Sequence, residues 1–512
     1  MSRVSRNVVY NGLGQALSVL LSLVAVRIVF RRLGGDALGL IYFSVAFSAA
    51  LSVAVGLGVC ESAVREVASH HRERPEYIAS LIRTSSLLYW IAYLLLGLSA
   101  CLLAPYLVHH WVKLSTLDDA TAIRMMRILT LGALLVLPGG LYRALLVGLQ
   151  HMGVTNLIDV AGKAVQQGGI FLILLLHGRL IHVAFWIAGT SFLNLLVYGF
   201  FCTRYFPSRA LLIPGFSLAV VKQNVGYASG LMTITICSWG IGEMDKVMLS
   251  KLLPLALLGL YTFARGAINQ GMLVTLAINN AIFPHFAGLH GAGEHDEMMR
   301  AYQKIQGLIT YGTVLVFAAV PFAALPLFSR IFDMPSAHRL LLPATFLCIG
   351  YYMNGAITAP YVVSLAMGRP DITARQNVLA LFIVPPVSAV AIYFFGLSGA
   401  GLSWVIYHVY TYSYGLPRIC RECLRIEPRV WYWQVFRIMG SAFLIYGSAW
   451  GLLSWVGNFT LPALVAGYVA ASLIYCAAAV GMMDESLRAT IMSYLQRGLG
   501  RVQLVFAPLG RM

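Results

Sequence analysis

Val8–Phe30 reads VVYNGLGQALSVLLSLVAVRIVF, an apolar run whose single charged group is Arg27. Arg3 and Arg6 precede it, as cations precede a secretory signal. A signal core spans only about 7–15 residues, whereas about 20 apolar residues cross a bilayer as a helix. The run is therefore read as an uncleaved first span. Working outward, comparable runs fall near 38–60, 81–108, 128–150, 155–177 and 180–203. A second set lies near 223–250, 255–287, 303–329, 340–367, 373–396 and 398–417, and two more near 435–457 and 461–483. The expected fold is an all-α integral membrane protein of about fourteen transmembrane helices. Continuous rather than alternating runs argue against membrane β-strands.

Composition agrees. Of 512 residues, 59% are hydrophobic and 11% charged, whereas roughly 25% charged residues are usual for a soluble domain. Eight cysteines and no glycine period exclude a disulfide scaffold and collagen. A charge of +17 on a soluble chain would point to nucleic acid. On a membrane chain it reads as basic loops facing a cytoplasm, and no nucleic-acid partner is expected. With the N-terminus inside, cytoplasmic segments hold 22 of the 36 Lys and Arg; outside segments hold ten, among them Arg31, Lys113, Arg124, Arg127 and Lys251. Both termini are therefore expected inside. The remaining four cations, Arg27, Arg143, Lys163 and Arg265, lie within spans.

The chain also repeats itself. Asn7-Val8-Val9-Tyr10 matches Asn224-Val225-Gly226-Tyr227 at an offset of 217, and Gly39-Leu40-Ile41-Tyr42-Phe43 matches Gly259-Leu260-Tyr261-Thr262-Phe263 at 220. Gly178 and Trp186 match Gly396 and Trp404 at 218. Three matches in one order at nearly one offset indicate duplication. The expected organisation is a six-helix lobe over 1–205, a cytoplasmic linker at 206–222 and a second lobe over 223–425. Helices 13 and 14 follow within 430–483, then a basic cytoplasmic tail at 484–512. An even helix count per repeat makes the repeats parallel. Two such lobes around a central cavity suit alternating access, so transport is the leading class.

The opening Asn7, Tyr10-Asn11-Gly12, then Arg31-Arg32-Leu33-Gly34-Gly35-Asp36-Ala37-Leu38-Gly39, resembles the start of polysaccharide transporters, the Wzx-type flippases. Asp245-Lys246-Val247-Met248-Leu249 and Gly259-Leu260-Tyr261 are similar to that family's seventh span and the start of its eighth. The resemblance implies the multidrug/oligosaccharidyl-lipid/polysaccharide flippase superfamily fold and a bacterial inner-membrane location. The implied activity is flipping of undecaprenyl-pyrophosphate-linked oligosaccharide, an O-antigen, capsule or exopolysaccharide unit, from the cytoplasmic to the periplasmic leaflet. Membrane lipids and a polysaccharide polymerase are the partners it admits; it implies no cofactor.

Polar residues inside spans are the candidate site. In span five, Asn156, Asp159, Lys163, Gln166 and Gln167 are spaced 3, 4, 3 and 1, which sets them on one helical face. A central Lys or Asp costs about 2.5–3.5 kcal/mol against lipid, so the stripe should line a wet interior. The alternative is that Asp159 and Lys163, four apart, neutralise one another. In span one, Asn11, Gln15, Ser18 and Ser22 share a face, which lines a cavity or glues helices together. Arg27 points nearly opposite, and its plainest reading is a snorkelling anchor. Arg265 shares a face with Asn269, Met272, Asn279 and Asn280; it lines the cavity or forms an ion pair with Glu243 or Asp245. Arg143 lies about two turns inside span four, lining or anchoring.

These cations suit a pyrophosphate, Arg by its fork and Lys as a point charge. Arg143 and Lys163 fall in the cytoplasmic half and would receive the head group; Arg265 and Arg27 fall in the outer half and would hold it later. Asp159, Glu243 and Asp245 are ion-coupling candidates, although Glu243, Asp245 and Lys246 also read as an interfacial charge cluster. No Walker A, HExxH, GxSxG or GxGxxG pattern occurs, and no metal site is expected. Cys420-x-x-Cys423 lacks a second ligand pair. Rival readings are a multidrug exporter or lipid II flippase of the same fold. A membrane polysaccharide polymerase or glycosyltransferase is the enzymatic rival, and the outside stretch His109–Arg127 offers it only Asp118 and Asp119 as acids.

Overall fold

A computed structural model describes residues 19–53, 59–206, 213–457, 459–485, 487–489 and 492–493. Helices account for nearly all of it. They are α1 (19–33), α2 (Gly35–Val53), α3 (Val59–His70), α4 (Pro75–His110), α5 (Asp119–Leu134), α6 (Val136–Gly148), α7 (Met152–Leu175) and α8 (Leu180–Tyr205). Then come α9 (Leu218–Leu252), α10 (Leu255–Asn269), α11 (Leu273–Gly291), α12 (His295–Ile331), α13 (Met334–Ala366), α14 (Pro370–Phe395), α15 (Leu397–Ile419), α16 (Pro428–Val456) and α17 (Leu461–Met482). Among the described residues the only extended pairing is a bridge between Lys113 and Pro254. Ten helical spans there, α5 and α6 together forming one of them, are long and apolar enough to cross a membrane, so the chain is a multi-pass membrane protein. Fourteen crossings remain an expectation. The helices outside the ten include α15, which is rich in Tyr, Ser and Gly, and the short pair α10 and α11.

Local chemistry explains the boundaries. Asp118 caps α5, its carboxylate accepting the Thr121 N–H at 2.9 Å, and the backbone breaks at Leu135 before α6 restarts. Span four therefore runs over Asp119–Gly148, not 128–150. Arg124 and Arg127, expected in an outside loop, stand on α5. Pro75, Pro428 and Pro462 occupy first-turn positions of α4, α16 and α17, where a missing N–H costs nothing.

The chain packs as two compact units. One unit comprises residues 1–264, 328–336 and 381–400. Its core includes Ile78, Ile82, Leu141, Leu145 and Leu146. The repeat-matched glycines meet here. A Cβ on Gly39 would lie 2.0 Å from the Leu255 carbonyl oxygen, and one on Gly259 would lie 2.8 Å from the Gly39 nitrogen. Backbone meets backbone, so only glycine fits. Beside this crossing, the buried Asp36 accepts the N–H groups of Ser115 and Thr116 at 2.6 Å each. Lys113 donates to the Leu252 carbonyl at 2.8 Å, its own carbonyl accepts the Leu255 N–H at 2.9 Å, and the Trp111 indole donates to Ser250 at 2.9 Å. Arg31 donates to the Phe332 carbonyl at 2.6 Å. Thus the Arg31–Gly39 motif is an anchoring device: its Arg, Asp and final Gly each hold a distant segment.

The other unit comprises residues 265–327, 337–380 and 401–512. Its buried aromatic core includes Trp431 edge-on to Tyr412 with centroids 5.0 Å apart. The Tyr468 and Tyr475 hydroxyls on α17 donate to the Leu315 and Tyr311 carbonyls on α12, at 2.8 and 3.2 Å. A phenol taken out of water gains from an acceptor, and these two tie α17 to α12.

Candidate functional site

The five polar residues of span five lie on α7, and exposure around that helix falls into three sectors. Thr155 and Ile158 are buried, Gly162 lies against the Asn194 amide of α8 and Gly169 against the Trp186 indole. A Cβ on Gly169 would approach that ring to 2.0 Å. Leu157, Val165, Leu172 and Leu175 form an exposed apolar sector suited to lipid. Between the two, at about 100° per residue, run Asn156, Asp159, Lys163 and Gln167; Lys163 is exposed and the others half-buried.

Asp159 does not pair with Lys163. Its Oδ2 accepts the Arg143 Nε of α6 at 3.2 Å, and its Oδ1 accepts the Tyr198 hydroxyl of α8 at 2.6 Å. The ion pair is monodentate and half-exposed, with 48% and 38% of the two side chains accessible. Lys163 has no carboxylate partner among the described residues. Gln166 serves packing: its side-chain amide donates to Thr190 at 3.2 Å, and its backbone carbonyl accepts the Trp186 indole at 3.0 Å. The structure thus brings Arg143, Asp159 and Tyr198 into one cluster with Lys163 one turn along α7.

Arg265 on α10 is buried, its guanidinium 5.6 Å from the Trp404 ring. Trp404 is in turn packed by Tyr351, Tyr407 and His408 at 5.0–5.5 Å. A cation over an indole gains about 0.5–2 kcal/mol, more when dry. Asn269, one turn on, is exposed. On α9, Lys246 pairs with Glu243 at 2.6 Å. The Tyr261 hydroxyl sits 2.5 Å from Asp245 Oδ2 and 2.9 Å from the Ala400 carbonyl, so one proton serves two acceptors. Arg27 is exposed and continues the exposed apolar stripe of Leu20 and Val24 at helical spacing, the position of a snorkelling anchor. Asn11 and Gln15 lie outside the described residues.

The residues that sequence reasoning misses are Tyr198, Thr190, Tyr261 and the pairing role of the two tryptophans. Trp186 and Trp404 are visible as repeat markers, and Tyr261 stands in the Gly259-Leu260-Tyr261 motif, but nothing in the spacing names their partners. Among the described residues no three His, Cys, Asp or Glu converge as metal ligands. The Cys420 and Cys423 thiols are buried in a short π turn, and burial pushes Cys420 up to about 12. It is therefore a packed thiol at neutral pH.

Comparison with known proteins gives the wider setting. A curated relative, "Putative O-antigen transporter" of Shigella flexneri, is 22% identical over 413 residues, covering 79% of this chain and 94% of that protein. Among solved structures, a lipid II flippase, MurJ, in an inward closed conformation matches with a TM-score of 0.64 at 10% identity, over 92% of this chain and 98% of that one. An inward-facing multidrug resistance MATE family transporter of the MOP superfamily matches with a TM-score of 0.64 at 14% identity, over 79% and 95%. At such identities these likenesses carry the fold alone. A family model described as "Polysaccharide biosynthesis protein" matches residues 4–290, more than half of the chain. The chain belongs to the polysaccharide biosynthesis protein family.

Proposed function

We propose that the protein is a flippase that moves undecaprenyl-pyrophosphate-linked oligosaccharide from the cytoplasmic to the periplasmic leaflet by alternating access. The observation that carries this reading is the α7 stripe: a lysine without a carboxylate partner among the described residues, beside a half-exposed Arg143–Asp159 pair. Ions on a lipid-facing sector would be costly, and the apolar sector of α7 already supplies that surface. A water-filled path is what leaves Lys163 available to a ligand.

Chemically, Lys163 offers a point charge and Arg143 a fork of which one nitrogen is engaged. An arriving pyrophosphate takes over Arg143, and Asp159 retains Tyr198 as its donor, so no bare carboxylate is left behind. Arg265 on its Trp404 platform is the proposed later station, with Asn269 as a glycan-facing amide. Arg27 is assigned to anchoring. Asp159 is the coupling candidate with the shortest route to exchange its partner; Glu243 and Asp245 are held by Lys246 and Tyr261. The two repeats, 1–205 and 223–425, remain the proposed moving lobes, in a bacterial inner membrane with both termini cytoplasmic. The named relative supports a polysaccharide-linked cargo, and family and fold support a transporter rather than an enzyme.

The test is reconstitution with a fluorescent isoprenyl-pyrophosphate oligosaccharide. Lys163→Ala should lose leaflet exchange while Lys163→Arg keeps a measurable part of it. Full exchange by Lys163→Ala at equal protein level would remove the stripe from the path. Exchange of cationic drugs without any glycolipid movement would favour a multidrug exporter.

A further inference from the structure

We infer that the turn joining α15 to α16 is a binding site for the phosphate head group of a membrane lipid. Ile419 ends α15, the π turn Cys420–Leu424 follows, and α16 starts at Pro428. Arg421, Arg425 and Arg429 line one open cleft of about 690 Å³, together with Glu427 and Tyr432. All three guanidinium groups are exposed, and no ion pair engages them among the described residues. The neighbouring Glu422, which could have neutralised Arg421, is taken by Arg369. One carboxylate, Glu427, therefore faces three fixed cations.

Backbone geometry argues that the convergence is built. Arg425 has φ 54° and ψ 37°, a left-handed conformation that glycine adopts freely and arginine at a cost. Both the Arg425 and Ile426 N–H groups return to the Cys420 carbonyl, which folds the turn so that Arg421 and Arg425 share the cleft. A topological signal needs only basic residues somewhere in the loop. It needs neither a shared cleft nor an arginine where glycine would be easier.

Position selects the ligand class. The cleft opens where a membrane span begins, and Val430 and Trp433, one turn in, are 61% and 69% exposed. An exposed indole beside arginines is what the head-group layer favours. The volume admits a phospholipid head group rather than only a bare anion. Arginine forks match phosphate oxygens. The same chemistry would accept a diphosphate carried on an isoprenyl chain, so the two sources are separated by experiment. The site stands whether or not the chain is a flippase.

The test uses full-length protein in detergent, with bound lipid counted by native mass spectrometry. The probes are dioctanoyl phosphatidylglycerol, dioctanoyl phosphatidylcholine and farnesyl diphosphate. Wild type should retain phosphatidylglycerol over phosphatidylcholine. Each arginine removed should weaken retention about fivefold, and Arg421→Ala, Arg425→Gly and Arg429→Ala together about a hundredfold. Arg425→Gly relieves the backbone and should melt no lower than wild type, so its loss of lipid reports charge rather than misfolding. Displacement of phosphatidylglycerol by farnesyl diphosphate would extend the site to isoprenyl diphosphates; failure to displace would assign it to phospholipid. Equal retention of all probes by wild type and the triple variant would overturn the site.

Discussion

Breaking the Arg143–Asp159 pair should cost transport far more than stability. The contact is a single nitrogen to a single oxygen at 3.2 Å between side chains that are 48% and 38% accessible. Coulomb attraction at that distance is about 1.3 kcal/mol in water and about 5 kcal/mol at an effective dielectric of 20. Desolvation and side-chain ordering offset most of either figure, and half-exposed pairs measure about 0–1 kcal/mol. If the cleft beside α7 is wet, the coupling energy of the Arg143→Ala, Asp159→Asn double-mutant cycle should be about 0.5–1 kcal/mol. Asn is the right replacement because its amide oxygen still accepts the Tyr198 hydroxyl. The assay is denaturant unfolding of the four proteins in one detergent, followed by leaflet exchange in liposomes. Arg143→Ala should lower exchange at least tenfold while its stability falls by only about 1 kcal/mol. A pair in a dry interior would instead lose about 3–5 kcal/mol when one partner is removed. A coupling of that size, with exchange falling only in step with folded protein, would refute the wet-path reasoning.

Other consequences follow from single contacts. Gly39→Ala places a Cβ about 2.0 Å from the Leu255 carbonyl oxygen and should destabilise by about 3 kcal/mol, the upper end for overpacking, as read by thermal unfolding. Ala at Gly288, which has open space around it, should leave the melting temperature nearly unchanged. Asp36→Ala removes the buried carboxylate that accepts the Ser115 and Thr116 N–H groups and should cost about 1.5–3 kcal/mol, the range for hydrogen bonds to a charged group, with faster hydrogen exchange at Ser115 and Thr116 as its local signature. The Thr121 N–H holds the Asp118 carboxyl below the usual carboxylate range. Its capping contribution is therefore present above the unfolded value and lost as pH falls through the lowered folded value. The Thr121 protection factor, referenced to the intrinsic exchange rate at each pH, should fall in that acid window in wild type and stay flat in Asp118→Asn.

The membrane fold is legible in the sequence because it rests on composition and run length, which need no partner. Helix ends are legible only where a local signal marks them. Reading Arg124 and Arg127 as loop residues puts span four at 128–150. The Asp118 cap, three residues before Thr121, marks the real start. The α7 stripe is legible for the same reason the spans are, since one helix's periodicity decides which residues share a face. Pairing within the site is not. Helical spacing offers Asp159 only its own neighbour Lys163, whereas its partners lie 16 residues back on α6 and 39 ahead on α8. Arg265 likewise meets Trp404 from a distant helix. The repeat match names Gly39 and Gly259 but carries no hint that the two touch, because that contact is a backbone property with no side chain to advertise it.

The most direct test of the proposed function is a leaflet assay on the purified wild-type protein in liposomes, free of nucleotide. A short fluorescent oligosaccharide on an isoprenyl pyrophosphate is loaded on one leaflet, and its accessibility and chain length are followed together. The expected result is transfer to the opposite leaflet with chain length unchanged. Growth of the glycan, or no transfer above protein-free liposomes under any imposed ion gradient, would contradict it.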